Sequence, residues 1–127
     1  MNRLHVIAYA AAMLSVSAFA QQFNPSDWKE ARPVTVVSAA RTAQPGIYRV
    51  SLSITDAQTS KVLGAPFVST KPGVPATLEI GSQLGVVVRT VVTVEASGRS
   101  ITYRTEVLKA GSVQSAHAGT ALVQDEV

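Results

Sequence analysis

The feature that most constrains the fold is the stretch Tyr48–Asp56, in which apolar and polar side chains alternate. Every second residue from Tyr48 to Ile54 is apolar, whereas the residues between them are Arg or Ser. Because successive side chains of a strand point to opposite sides, this pattern predicts a strand with one buried face and one solvated face. We expect the later strands to pair with it, so that the chain is organised around a sheet.

Alternating or apolar segments of similar length recur along the chain, and turn residues separate them at intervals of roughly 8–12 residues. Helical periodicity is almost absent, and the short connections favour antiparallel pairing. The sequence therefore predicts an all-β fold, either a small antiparallel β-sandwich or a partly open barrel of six to seven strands. Residues 109–119 fit either a loop or a short edge strand. The predicted strands cover residues 34–39, 48–56, 61–70, 75–81, 86–95 and 100–108, with 120–123 as a candidate for a last strand.

Three local features refine this expectation. Gly64 and Pro66 interrupt the strand 61–70 and predict a bulge or kink, because proline gives a sheet no N–H group. Residues 71–74, Lys-Pro-Gly-Val, have the composition of a type II turn. The segment 86–95 is the most apolar, and we expect it to be central in a sheet with both faces partly covered.

Residues 1–20 have the order of a secretory signal peptide. Arg3 supplies a positive charge, residues 6–16 form an apolar run, and residues 18–20 (Ala-Phe-Ala) match the small-x-small cleavage pattern. The alternative is an uncleaved membrane anchor, but a span needs about 20 apolar residues and this run is shorter. We therefore expect cleavage after Ala20 and export to the periplasm or out of the cell.

Residues 21–127 would then form a single β domain, with an irregular segment at 21–32 and a frayed tail at 124–127. Without Arg3, ten Lys and Arg residues stand against eight acidic ones, a dispersed net charge of +2. A nucleic-acid footprint would be denser, and no second apolar run is long enough to span a membrane, so neither partner is expected. The absence of Cys excludes disulfides, thiol catalysis and cysteine-ligated metals. The oligomeric state stays open.

Candidate catalytic groups are sparse after residue 20. His117 is the single histidine there, and Ser112, Ser115 and Asp125 lie near it in the sequence. A Gly-x-Ser-x-Gly turn is missing, and a flexible loop does not hold such groups within hydrogen-bond reach. We interpret His117 as a solvated loop residue.

Paired carboxylates are the other simple catalyst, and they fall on separate predicted strands as Glu79, Glu95 and Glu106. We expect Glu79 and Glu106 to face water and to oppose Arg or Thr across a strand pair. Glu106 paired with Arg89 or Arg104 would be an ordinary surface ion pair. The sequence therefore predicts a protein that is not an enzyme and holds no cofactor or metal.

A longer pattern carries a family resemblance. Residues 65–70 are Ala-Pro-Phe-Val-Ser-Thr, residues 73–81 are Gly-Val-Pro-Ala-Thr-Leu-Glu-Ile-Gly, and two alternating strands follow. In this order, residues 61–108 resemble a segment of the secretin family, the outer-membrane channels of type II and III secretion and type IV pili. The resemblance implies a β-hairpin, a Pro-Ala turn packed in a sheet, and an envelope-assembly role. The repeated periplasmic domains and membrane-crossing strands of secretins are missing, and similar stretches occur in small exported proteins of unknown role.

The function that we expect is a small exported, non-enzymatic β domain that binds another protein, such as a cell-envelope or secretion-system component, through an exposed strand edge. Residues 65–70 and 120–123 are the candidate edges. The alternative is a binder of a small apolar or sugar ligand in the mouth of the sandwich or barrel, with Trp28, Tyr48 and Tyr103 as aromatic platforms. The expected partner contacts, each of which also suits the core, are Phe67, Val68, Trp28 and Tyr103.

Overall fold

The computed structural model describes residues 4–10, 25–82 and 85–125, with side chains for residues 27–82 and 85–125. The cleavage site predicted after Ala20 lies outside these ranges. Within them no helix has the length and apolar character to cross a bilayer, and one 3-10 turn, Pro25–Trp28, precedes the main body of strands. The strands are β1 (Leu4–Ala10), β2 (Pro33–Arg41), β3 (Tyr48–Asp56), β4 (Val62–Gly64), β5 (Phe67–Thr70), β6 (Ala76–Ser82), β7 (Val86–Val94), β8 (Ser100–Lys109) and β9 (Ser112–Leu122).

Two antiparallel sheets pack as a sandwich, so the predicted all-β fold is confirmed. The larger sheet has the strand order β1-β6-β7-β8-β9. In the smaller sheet, β2 pairs with one side of β3, while β4 and β5 pair with the other side. Chain neighbours are mostly sheet neighbours, as the short connections predicted.

The core lies between the facing sides of the two sheets. The smaller sheet contributes Val50, Leu52 and Ile54 from β3, all of them fully or almost fully buried. The larger sheet faces them with the apolar side of β6 and β7, including Leu78 and Val88, which are also fully buried. Each fully buried side chain of this size contributes about 1.5–3 kcal/mol, so this interface supplies most of the stability.

The apolar strand β7 is central in the larger sheet, as predicted. Val88 and Val92 on its inner face are fully buried, whereas its outer face is only half covered. On that outer face Arg89 stands directly between Glu79 of β6 and Glu106 of β7's other neighbour, β8. Its guanidinium contacts the two carboxylates at 2.7 Å and 3.8 Å. The outer face is therefore stabilised by cross-strand charge pairing, which is worth about 0–1 kcal/mol for a surface pair.

The kink predicted near residues 64–66 is confirmed. Both β4 and β5 pair with β3, and the break between them falls at Ala65 and Pro66. Leu52 of β3 still donates its backbone N–H to the Pro66 carbonyl at 2.9 Å. The interruption therefore divides one predicted strand into two without releasing it from the sheet.

The type II turn predicted at residues 71–74 is also present. The N–H of Val74 donates to the Lys71 carbonyl at 3.2 Å, which closes the turn. Gly73 has a φ of +80°, the left-handed conformation that this turn requires at its third position. The turn carries the chain from the smaller sheet to the larger one.

The structure of the C-terminal region settles whether residues 112–119 form a loop or a strand, and it corrects the predicted fraying of the chain end. Residues 112–122 are an edge strand rather than a loop, because Ala110 and Gly111 both adopt positive φ and close a tight hairpin. Fraying predicted for residues 124–127 is wrong at Gln124. Its N–H donates to the Ala39 carbonyl at 2.8 Å, and its carbonyl accepts from Arg41 at 3.0 Å, so the chain end is tied to β2.

A buried hydroxyl pair gives a test of the inner face. The hydroxyls of Thr90 on β7 and Thr105 on β8 lie 3.0 Å apart, and both residues are buried. Changing either one to Val leaves the other hydroxyl unpaired, so each single variant should lose about 1–3 kcal/mol of unfolding free energy. The double variant should lie within about 1 kcal/mol of the wild type, because no polar group is then stranded. Urea unfolding of the wild type, the two single variants and the double variant measures these free energies. A double variant whose loss equals the sum of the two single losses would contradict the pairing.

Candidate protein-interaction edge

Two of the four predicted contact residues are core residues. Trp28 and Val68 are each 0 % exposed. Trp28 is the last residue of the 3-10 turn, and its side chain packs into one end of the sandwich. Val68 points inward because successive side chains of β5 alternate between the two faces of the sheet. Neither side chain offers surface to a partner, which agrees with the core interpretation that their residue types also allow.

A close backbone approach holds Trp28 in place. A Cβ atom at Gly85 would lie 2.7 Å from the Trp28 carbonyl oxygen and 2.8 Å from the Lys29 Cα. The 3-10 turn thus packs directly against the entry to β7, where only glycine leaves enough room. The largest aromatic side chain of the protein therefore closes one end of the core.

Phe67 lies on the opposite face of β5 from Val68 and is half-buried. The guanidinium carbon of Arg49 lies 3.8 Å from the centroid of its ring. Such a cation–π contact is worth about 0.5–1 kcal/mol at an exposed site. The ring is therefore partly covered by the protein's own side chain on the outside of the smaller sheet.

Tyr103 lies on the inner face of β8, half-buried against the core. Gly119 is opposite to it on β9, and a Cβ atom there would lie 2.7 Å from the Tyr103 hydroxyl oxygen. His117 meets the Tyr103 ring edge-on, with ring centroids 6.1 Å apart. Of the four predicted contacts, Tyr103 alone borders an open strand edge of the larger sheet, so the four do not form one patch.

The strand β9 is the most open edge in the described part of the chain. It is eleven residues long, and its only strand neighbour there is β8. Residues 112–118 are exposed on both faces, and Leu122 at the far end is 78 % exposed. From Ser115 to Leu122 its pairing with β8 is uninterrupted. One row of backbone N–H and C=O groups on this strand therefore faces away from the sheet.

Natural edge strands are usually protected by charges, prolines or brevity. β9 contains neither a charged residue nor a proline. The other candidate edge, residues 65–70, is protected: β4 and β5 are three and four residues long and Pro66 separates them. The edge of β2 is covered near its end by Gln124. β9 is therefore the edge best suited to accept another strand.

Sequence reasoning offered residues 120–123 as a last strand and left residues 109–119 open between a loop and a short edge strand, so it did not predict one continuous strand over Ser112–Leu122. Its first residues are small, polar and exposed on both faces, so they show no alternation of apolar and polar side chains. The available signal was Ala110-Gly111 directly after an alternating strand, since glycine is favoured at the second position of a two-residue hairpin turn. That turn fixes the direction of the chain and makes residues 112–122 pair with β8.

A cleft of about 530 Å³ lies beside this edge, between the beginning of β2 and the end of the β8–β9 hairpin. Its walls mix apolar residues, including Ala31, Val34 and Val107, with polar Gln114 and Ser115. None of the three aromatic residues considered as sugar platforms is among its described lining residues. The cleft is therefore better suited to side chains of a bound strand than to a stacked sugar ring.

An ion pair crosses one end of this cleft. The Lys109 Nζ donates to the Glu30 Oε2 at 3.0 Å, which ties the end of β8 to the N-terminal segment. This hydrogen bond, together with the positive charge of Lys109, lowers the pKa of the Glu30 carboxyl below its usual value of 4.5. Both groups remain largely in solvent, so the pair marks the cleft without rigidly closing it.

The residues considered for catalysis are not brought together. His117 pairs with Thr105 in the strand register, and no hydrogen bond among the described residues joins it to Ser112, Ser115 or Asp125. Asp125 instead contacts Arg41 on the smaller sheet at 3.1 Å. The described residues contain no cluster of three His, Cys, Asp or Glu side chains that fits a metal ion.

Comparison with protein-family models, characterised proteins and solved structures finds no match to this chain. Function therefore has to be argued from the strands and their edges.

The fit of Trp28 under Gly85 can be tested by a single methyl group. Gly85→Ala should lower the unfolding free energy by about 1–3 kcal/mol, because the added carbon meets backbone atoms that cannot rotate away. Gly46→Ala is the matched control: Gly46 has a φ of +80° but open space around its Cα, so it costs only about 1 kcal/mol of backbone strain. Thermal and urea unfolding measure both. A Gly85 variant as stable as the wild type would contradict the close packing.

The Glu30–Lys109 contact predicts a titration. Lys109→Met should raise the pKa of Glu30 towards its usual value, since it removes the hydrogen bond and the charge that lower it. In the wild type the contact stabilises the fold above the unfolded pKa and is lost as the pH falls through the folded pKa. Carbon-detected NMR of the carboxyl group measures the change, and Lys71→Met is the control. Equal Glu30 pKa values in both variants would contradict the contact.

Proposed function

We propose that this protein is a small exported, non-enzymatic β domain that binds another protein by accepting a strand at the β9 edge. The observation that carries the proposal is the unprotected row of backbone groups along Ser115–Leu122. This segment pairs regularly with β8 on one side, and its other side faces solvent. Backbone hydrogen bonds of an added strand provide affinity, and nearby side chains provide selectivity.

The surroundings of β9 favour such an addition. Most of its side chains are small, and between Ser115 and Leu122 only His117 and Leu122 are larger, so a second strand can approach over most of this length without displacing large groups. On the inner face, the rings of Tyr103 and His117 meet edge-on with centroids 6.1 Å apart, and they offer an apolar surface to alternate side chains of the partner. On the outer face, Ala116, Ala118 and Thr120 are exposed and uncharged. The edge therefore combines open backbone with shallow side-chain pockets.

The location and the partner class come from the sequence. The signal-peptide pattern of residues 1–20 supports export, and the secretin-like order of residues 61–108 supports a role in cell-envelope assembly. A cell-envelope or secretion-system protein is therefore the partner that we propose. Because residues 112–122 are uncharged, recognition at this edge depends on backbone pairing and shape more than on charge.

A second candidate is binding of a small apolar ligand in the cleft next to β9. The volume of about 530 Å³ falls within the usual range for ligand sites. Charged groups at its rim, Glu30, Arg32 and Lys109, leave little continuous apolar wall. Edge pairing therefore remains the better supported proposal.

Site-specific crosslinking in the cell envelope tests the edge. A photoreactive residue replaces Ala118 or Thr120 on β9, and the matched control replaces Ser53, an exposed residue on β3, which has neighbours on both sides. We expect a discrete crosslinked partner from both β9 positions and none from Ser53, with the partner identified by mass spectrometry.

A blocking variant completes this test. Ala118→Lys places a charge on the open edge and should reduce partner capture about tenfold or more without unfolding the domain, whereas Ser53→Lys should leave capture unchanged. Thermal unfolding confirms that both variants are folded. Equal crosslinking from Ser53 and β9, or capture that is unaffected by Ala118→Lys, would contradict the proposal.

A further inference from the structure

The N-terminal strand occupies the other edge of the larger sheet. β1 pairs antiparallel with β6 over seven residues, from Leu4 opposite Ser82 to Ala10 opposite Ala76. It also lies against β5 of the smaller sheet. β1 therefore covers the side of the sandwich at which the chain passes from β5 in the smaller sheet to β6 in the larger sheet.

The same residues belong to the predicted signal peptide. Cleavage after Ala20 would remove Leu4–Ala10 together with the rest of the leader. β6 would then become an edge strand over its seven residues, with the backbone groups that face away from β7 left unpaired, next to a β5 that has also lost a neighbour. Cleavage on export would thus leave an empty position for one strand beside β6, a slot that Leu4–Ala10 occupies in the uncleaved chain.

The slot is part of the core and not a solvated border. Ala76, Leu78 and Ile80 on β6 are each fully buried, and Ser82 is almost so. The adjoining residues of β5, Val68 and Thr70, are buried as well. Loss of β1 would bring water to the margin of this apolar surface, and a replacement strand would restore both its hydrogen bonds and its burial.

We infer that the slot between β6 and β5 is a second binding site, which in the exported protein takes an extended, uncharged, apolar strand of a partner protein in place of Leu4–Ala10. This inference rests on the proposed export of the chain. The register of β1 defines the occupant: antiparallel to β6, with branched or small apolar residues (Val6, Ala8) opposite Ile80 and Leu78. Glu79 is already paired with Arg89, so the slot presents no unbalanced charge to attract a basic segment.

The probe is a synthetic peptide with the sequence of residues 4–10, carrying two added lysines for solubility, and the protein is the exported chain, residues 21–127. We expect the peptide to raise the thermal midpoint by several degrees and to protect the amides of β6 from hydrogen exchange. An Ile7→Pro peptide is the matched control, and it should bind roughly tenfold more weakly because proline lacks the N–H of a central strand position.

Four outcomes would overturn the inference. They are peptide binding that protects β9 instead of β6, no binding by either peptide, self-association of residues 21–127 that already protects β6, and an exported protein whose N-terminal sequence retains Leu4–Ala10. The last would make β1 a permanent strand of the sheet. Crosslinking from β9 reports on the proposed function independently, so failure at the β6 slot is distinguishable from failure at the β9 edge.

Discussion

The fold depends on face-to-face burial of two apolar sheet surfaces. β3 supplies one of them with Val50, Leu52 and Ile54, and β6 and β7 supply the other. Without cysteine, no covalent link reinforces this packing. Trp28 closes one end of the core, and the buried hydroxyls of Thr90 and Thr105 pair with each other. The remaining features of the protein follow from how the strands outside this centre are arranged.

A sandwich of open sheets necessarily has edges, and this protein treats its edges differently. The edge formed by β4 and β5 is short and broken by Pro66, and the edge of β2 is partly covered by Gln124. β6 is covered by β1, whereas β9 is left open. Because unpaired edge backbone favours pairing with another chain, the two ends of the larger sheet are where we place partner binding.

The described acidic side chains of the larger sheet and the chain end form ion pairs with arginines that stabilise the fold. Arg89 is held between Glu79 and Glu106 across three adjacent strands, and Arg41 contacts Asp125 near the chain end. These carboxylates are engaged with arginines, and although Asp125 is exposed, Glu79 and Glu106 are largely covered; none of the three lines the cleft beside β9. The arrangement supports the proposal of a binding domain, in which backbone edges rather than titratable groups carry the function.

The sequence by itself determined the central strands and their inward faces, because alternation in β3 and β7 and the turn at Lys71–Val74 are local consequences of side-chain geometry and backbone preference. It also indicated the Pro66 kink. It did not predict β1, nor β9 as one continuous strand. Only the tertiary structure decided which strand forms an open edge, since this depends on which strands become neighbours in the sheet. It also decided that the side chains of Trp28 and Val68 are fully buried. The role of residues 4–10 shows the same division: their composition indicates a leader, and only the pairing with β6 reveals the place that they occupy.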